Sequence, residues 1–291
     1  MEATKLQNTN TFKVVGRLIK ADVKLGTSTK SGQPYVSATA TVQSVIHGTN
    51  CEFEIDFYSS QMTSAGKVSA LYTSYTKMAE LEGKKVEITG SIRENRYFSS
   101  TLNQIISAQE LAGRFIKGVA ESAQDDAKWE MSGFVVKTLV EKVNKKEEVY
   151  RYDLTIGQAN YSGSAISMFV LHVDPSRRDI IKGVEGYEAG QTVRLNGSLI
   201  FKVETVTSEA KNEGGFGEAV VRTYTNRTKN FFIEGGSAPI TDETKYDGAT
   251  ISDLISGYKA RDVELSEKGK SAGPAAVEST PTITKKQTSL I

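Results

Sequence analysis

Gly83-Lys84-Lys85-Val86-Glu87-Ile88-Thr89-Gly90-Ser91-Ile92 and Gly190-Gln191-Thr192-Val193-Arg194-Leu195-Asn196-Gly197-Ser198-Leu199 align without a gap. They share both glycines, the valine and the serine, and exchange apolar for apolar at two further positions. Upstream of each, Phe12-Lys13-Val14-Val15-Gly16-Arg17-Leu18-Ile19-Lys20 parallels Trp129-Glu130-Met131-Ser132-Gly133-Phe134-Val135-Val136-Lys137, with glycine at the same place and lysine at the end. Two matches in the same order mark an internal duplication. A chain of 291 residues suits this, since about 150 residues make a typical domain.

Reading outward from the repeat, the first half alternates like a β-protein. The stretches 12–24, 35–45, 51–58, 85–93 and 104–110 are rich in β-branched and aromatic residues and bounded by Gly, Asn, Ser or Pro, which predicts five strands. Val36, Ala38, Ala40 and Val42, and likewise Phe53, Ile55 and Phe57, point to one face. Val68, Leu71, Tyr75, Met78 and Ala79 fall at helical spacing within 60–81, placing one helix between the third and fourth strands. The second half repeats the plan: strands at 129–143, 148–158, 163–173, 191–206 and 220–233, with a short helix from Pro175 to about Gly183. Its last two strands are joined by a long polar loop containing Asn212-Glu213-Gly214-Gly215-Phe216-Gly217-Glu218.

The expected division is therefore a first domain at 1–112, a linker at 113–128, a second domain at 129–236 and a flexible tail at 237–291. In that tail Ile251 to Tyr258 is the only amphipathic piece, and its Ser/Thr/Pro/Gly/Lys-rich composition reads as disordered. The fold class is mainly β, two tandem five-stranded barrels of the OB type, each with a helix between strands three and four. That fold binds ligands on its second and third strands and on its first and last interstrand loops.

Composition excludes several classes. Cys51 stands alone, so there is no internal disulfide, and no Cys/His cluster holds a metal. No apolar run is long enough for a membrane span, and the polar start carries no secretory signal, so a cytoplasmic protein is expected. Lys+Arg total 36 against 35 Asp+Glu, but residues 1–118 hold 14 basic and 10 acidic side chains. The first half is mildly basic. His47 and His172 are the only neutral-pH bases, and no phosphate loop, nucleophile elbow or dinucleotide fingerprint appears, so an enzyme and a bound cofactor are not expected.

At Val14-Val15-Gly16-Arg17-Leu18-Ile19, at the Thr29-Lys30-Ser31-Gly32-Gln33-Pro34-Tyr35-Val36 hairpin and at Gly83 to Ile92, the chain resembles single-stranded DNA-binding proteins, especially those encoded by bacteriophages. The resemblance is best over residues 10–112 and extends to 129–235 through the repeat. It implies sequence-tolerant coating of single-stranded DNA in replication, recombination or repair. RNA is left open, because discrimination rests on a 2′-hydroxyl contact that no motif reveals. Bacterial members end in an acidic tip that recruits partner enzymes, whereas here the last residues include Lys285, Lys286, Leu290 and Ile291; the tail is still the expected place for recruiting replication or recombination proteins.

Binding to an unpaired strand needs cations that replace counterions and rings that stack on bases. The candidates in the first barrel are Arg17, Lys24, Lys30 and Tyr35 near the first hairpin, Tyr58 ending the third strand, and Arg93, Arg96, Tyr97 and Phe98, read as the loop between the last strands. In the second barrel they are Lys142, Lys145, Lys146, Tyr150, Lys202, Phe216, Arg222, Tyr224 and Arg227. Glu52, Glu54 and Asp56 are expected to face outward and repel phosphate. That acidic stripe favours the alternative reading, a protein-interaction or virion component.

Overall fold

The computed structural model describes residues 8–160, 163–210 and 220–271. All ten expected strands form: β1 (Asn10–Thr27), β2 (Pro34–Ile46), β3 (Thr49–Ser60), β4 (Lys85–Ser99), β5 (Gln104–Gly118), β6 (Asp126–Val143), β7 (Val149–Ala159), β8 (Ile166–Val173), β9 (Thr192–Ala210) and β10 (Val220–Gly236). Between β3 and β4 lie α1 (Ala70–Thr76) and a 3-10 turn, Met78–Leu81; between β8 and β9 lies α2 (Arg178–Glu185). The first helix is shorter than the spacing predicts. Residues 61–69 instead make a turn closed by a Met62–Val68 bridge, and Ser69 caps α1 by accepting from the Tyr72 amide. Tyr75 and Met78 then fill the barrel end, with the Tyr75 hydroxyl donating to the Arg114 carbonyl at 2.7 Å.

Each half closes on itself. Strands pair in the ring β1-β2-β3-β5-β4-β1, and again as β6-β7-β8-β10-β9-β6. The β3–β5 and β8–β10 links are parallel and the rest antiparallel. Closure removes most free edges. Alternate residues of β2 and β3 line the first core with little or no exposure, Val36, Ala40, Phe53 and Ile55 among them.

The repeat glycines mark where backbones crowd. A Cβ on Gly90 would strike the Ala112 carbonyl, and one on Gly197 the Phe232 carbonyl, each beside a break in strand register. At Gly16 and Gly133 a Cβ would strike the carbonyls of Gln43 and Gly157. Only a residue with no side chain fits these crossings.

The barrels join through β1 and β6, which pair antiparallel from Asn10↔Met131 to Val15↔Asp126. Phe12 pairs with Trp129, its counterpart in the sequence repeat, so an approximate two-fold axis passes through that pair. The β4–β5 ribbon reaches across this axis. Glu94 and Gln109 accept from the Met168 and Val170 amides on β8, at 2.8 and 2.7 Å. In return β9 packs on β3, where Phe53 and Phe201 lie 5.1 Å apart. One apolar core runs through both halves.

Two sequence expectations need correction here. Residues 113–118 are not linker: they extend β5 against β4, from Gly90↔Gly113 to Val86↔Gly118, and 126–128 already belong to β6. Nor does a tail start at residue 237. Residues 248–271 form α3 (Gly248–Ser271), started by Asp247, whose carboxylate accepts from the Thr250 amide at 2.9 Å. Ile251, Leu254, Ile255 and Tyr258 form a stripe at helical spacing that packs, with Tyr246, on Phe134, Ala159 and Ile166. α3 is not apolar enough to cross a membrane.

Candidate nucleic-acid interface

The two hairpins that open the barrels are built alike. In the first, Lys24 and Tyr58 both lie opposite Ser37 in register, so they share the outer face of the sheet. Tyr58 is exposed and lies 5.5 Å, ring to ring, from Tyr35. Tyr35 in turn lies over Gly26, where a Cβ would press into the ring. Exposed Leu25 and Lys30 complete the tip. In the second, Tyr150, Val140 and Val143 are exposed, the Arg151 guanidinium lies 5.6 Å from the Tyr150 ring, and Lys142, Lys145 and Lys146 belong to the same hairpin. Among the described residues Lys24, Lys30, Lys145 and Lys146 lie in no ion pair. Lys142 is only 3.9 Å from Asp153. Each tip therefore offers an exposed ring together with lysines that no carboxylate holds in an ion pair among the described residues, Lys24 and Lys30 on the first and Lys145 and Lys146 on the second.

Other candidates are engaged elsewhere. Arg93, Arg96, Tyr97 and Phe98 lie on β4, not in a loop. Arg93 bridges Glu110 at 2.8 Å and Asp56 at 2.9 Å; burial opposes ionisation of Glu110, but hydrogen bonds from Asn95 and Arg93 outweigh it and hold its carboxyl below the usual range. The Arg96 side chain is 9% exposed, stacks 3.6 Å from the Tyr258 ring centre, and pairs with Asp262 of α3 and, at 3.5 Å, with Glu94. Phe98 lies against Gly269 of the same helix. These two residues hold α3, and Tyr97 alone of this group is an exposed ring. Arg17 pairs with Glu121 at 2.6 Å. Arg227 spans Glu52 and Glu54 at 3.3 and 2.7 Å.

Each carboxylate of the acidic stripe is thus paired with Arg93 or Arg227, two cations that sequence reading assigned to DNA. Lys202 lines a second groove between the barrels with His47 and Phe232. Phe216 lies outside the described residues. Arg222 and Tyr224 are on β10, and their side chains also lie outside the described set.

α3 changes what the second barrel can present. Phe134, Val136, Ala159, Ile166 and Met168 belong to the outer side of β6, β7 and β8, and α3 packs over them. The corresponding surface of β1 and β2 keeps Arg17, Ile19 and Val45 exposed. On β8, His172 is buried and hydrogen-bonded to Asp153 at 3.0 Å. Burial outweighs the carboxylate and holds the imidazole below its ordinary pKa.

Where the barrels meet, a groove of about 810 Å³ follows the two-fold axis. Its walls include Lys13 and Lys128, Thr89 and Asn196, and Arg114 with Phe115. None of Lys13, Arg114, Phe115 or Lys128 was a sequence candidate. The run Arg114-Phe115-Ile116-Lys117 was the available signal, hidden because residues 113–128 read as linker.

The chain matches the YorF family over residues 8–271. It belongs to that family. No curated protein matched this YorF-family chain. Among solved structures it is similar to two crystal structures of the single-stranded DNA binding protein from Thermus aquaticus. For a deletion mutant of that protein the TM-score is 0.52 at 9% identity, covering 81% of this chain and 97% of that one. For the wild type the TM-score is 0.51 at 10% identity, covering 84% and 98%. At such identity the likeness is one of fold.

Proposed function

We propose that this YorF-family chain binds single-stranded DNA without sequence preference, protecting it during replication, recombination or repair in the cytoplasm. The observation that carries the reading is the pair of matching hairpin tips, Lys24, Lys30, Tyr35 and Tyr58 on one barrel and Lys142, Lys145, Lys146 and Tyr150 on the other. Cations of this kind displace counterions from the phosphates, and exposed rings stack on bases of any identity. The fold supports it, because its two Thermus aquaticus neighbours bear the name of that activity. The acidic stripe that favoured a protein partner is paired with Arg93 and Arg227, which lowers its repulsion toward phosphate and so supports this reading over the rival. Recruitment of replication or recombination proteins falls to the segment beyond α3. Fluorescence titration with oligo-dT at 50 and 200 mM salt tests the reading, with oligo-U run in parallel to weigh RNA. Tight binding that weakens steeply with salt is expected; no binding at low salt would overturn it.

A further inference from the structure

The groove on the two-fold axis carries features that the barrels do not need for folding. Lys13 and Lys128 are direct register partners on β1 and β6, an arrangement of like charges that weakens a strand pair. They share one acid, Asp126, at 2.7 and 3.6 Å. Of the two other carboxylates on the wall, Glu130 pairs with Arg194 at 3.5 Å and Glu234 lies within hydrogen-bond reach of the His47 ring at 3.1 Å. Arg114 lies in no ion pair among the described residues and stands 5.3 Å from the ring of Phe115. That ring is 56% exposed, a large apolar face left to solvent at the rim of a groove. Gly90 and Gly197 line the same groove, and it sits between the barrels, because β1 and β6 run from it in opposite directions toward their own tips.

We infer that the groove is a nucleotide-binding step on the path of a single strand between the two tips. A base stacks on Phe115 with Arg114 beside it, and the flanking phosphates lie against Lys13 and Lys128. This rests on the single-strand reading above. A strand that engages both tips must pass the junction of the barrels, and the surplus cations and the unoccupied ring coincide there.

Phe115→Ala, Phe115→Trp and the Lys13→Gln/Lys128→Gln double variant, made in the full chain and checked by thermal unfolding, test it with oligo-dT titrations. Phe115→Ala is expected to weaken binding about five- to 150-fold, with Phe115→Trp near wild type. The double lysine variant should lower the slope of log K against log salt by about 0.7 for each lost phosphate contact. If Phe115→Ala binds within twofold of wild type while Tyr58→Ala and Tyr150→Ala weaken binding, the groove assignment fails and the single-strand reading stands. If the unaltered chain binds no oligo-dT at low salt, both fall.

Discussion

Replacing Arg96 by methionine keeps its volume and apolar stem but removes the charge that ties α3 to the β4–β5 ribbon. The guanidinium is almost enclosed, stacked on Tyr258 and paired with Asp262 and Glu94, whose side chains are 35% and 2% exposed. Breaking a buried pair by removing one partner costs about 3–5 kcal/mol. Solvent at Asp262 screens part of that, and two nitrogens of Arg96 have no hydrogen-bond partner, so a discounted cost of about 2–3 kcal/mol applies. Each 1.4 kcal/mol is about tenfold, so opening of α3 should become roughly 30- to 150-fold more frequent. Hydrogen exchange of amides 251–268 reads this directly, because a docked helix opens as a local unit while the barrels stay closed. Exchange within threefold of wild type would refute the assignment of Arg96 as an anchor. A loss of oligo-dT affinity with α3 still protected would return Arg96 to the binding surface.

Other outcomes follow from the same geometry. Tyr58→Ala with Tyr150→Ala should weaken oligo-dT binding by about 1–3 kcal/mol per ring with unchanged thermal stability; full affinity would dissociate the tips from binding. Gly197→Val drives a side chain into the Phe232 carbonyl and should lower Tm by about 2–12 °C, whereas Gly183→Ala, whose Cβ meets nothing within 4 Å, should be neutral or slightly stabilising; equal effects would show that the close approach is unimportant. The folded-state pKa of His172 lies below its ordinary 6.5, so the unfolded chain takes up the proton first as pH falls. Urea stability should therefore decline below about pH 6.5, by no more than about 1.4 kcal/mol per pH unit from this group. His172→Gln should flatten that decline, and an unaltered slope would exclude His172 as its source. Asp153 adds a second loss only as pH falls below its ordinary 3.8, since burial opposes its ionisation but His172 and Arg151 overcome that and hold it low.

The barrels were legible because duplication repeats both the alternation and the glycines, and Gly16, Gly90, Gly133 and Gly197 each answer to one backbone crossing. What sequence could not convey was partnership across the repeat. Arg93, Arg96 and Phe98 interleave charge and rings just as Lys24, Lys30, Tyr35 and Tyr58 do, yet only coordinates reveal that the former face Glu110, Asp262 and Gly269. α3 was seen as Ile251 to Tyr258 but read as tail, because a stripe so narrow has no value until the apolar outer side of β6 to β8 is there to receive it. Phe115 was lost for a simpler reason: β5 continues past the point where its apolar alternation fades, held by main-chain bonds to β4.

The antiparallel seam between β1 and β6 points the two tips away from each other, related by a half-turn. A nucleic acid has a 5′ and a 3′ end, so a straight thread that touches both barrels meets one of them in the reverse sense. Recognition of base edges would be confounded by such an inversion, whereas contact with flat ring faces is indifferent to direction. The seam thus favours a protein that holds any sequence over one that reads a particular one.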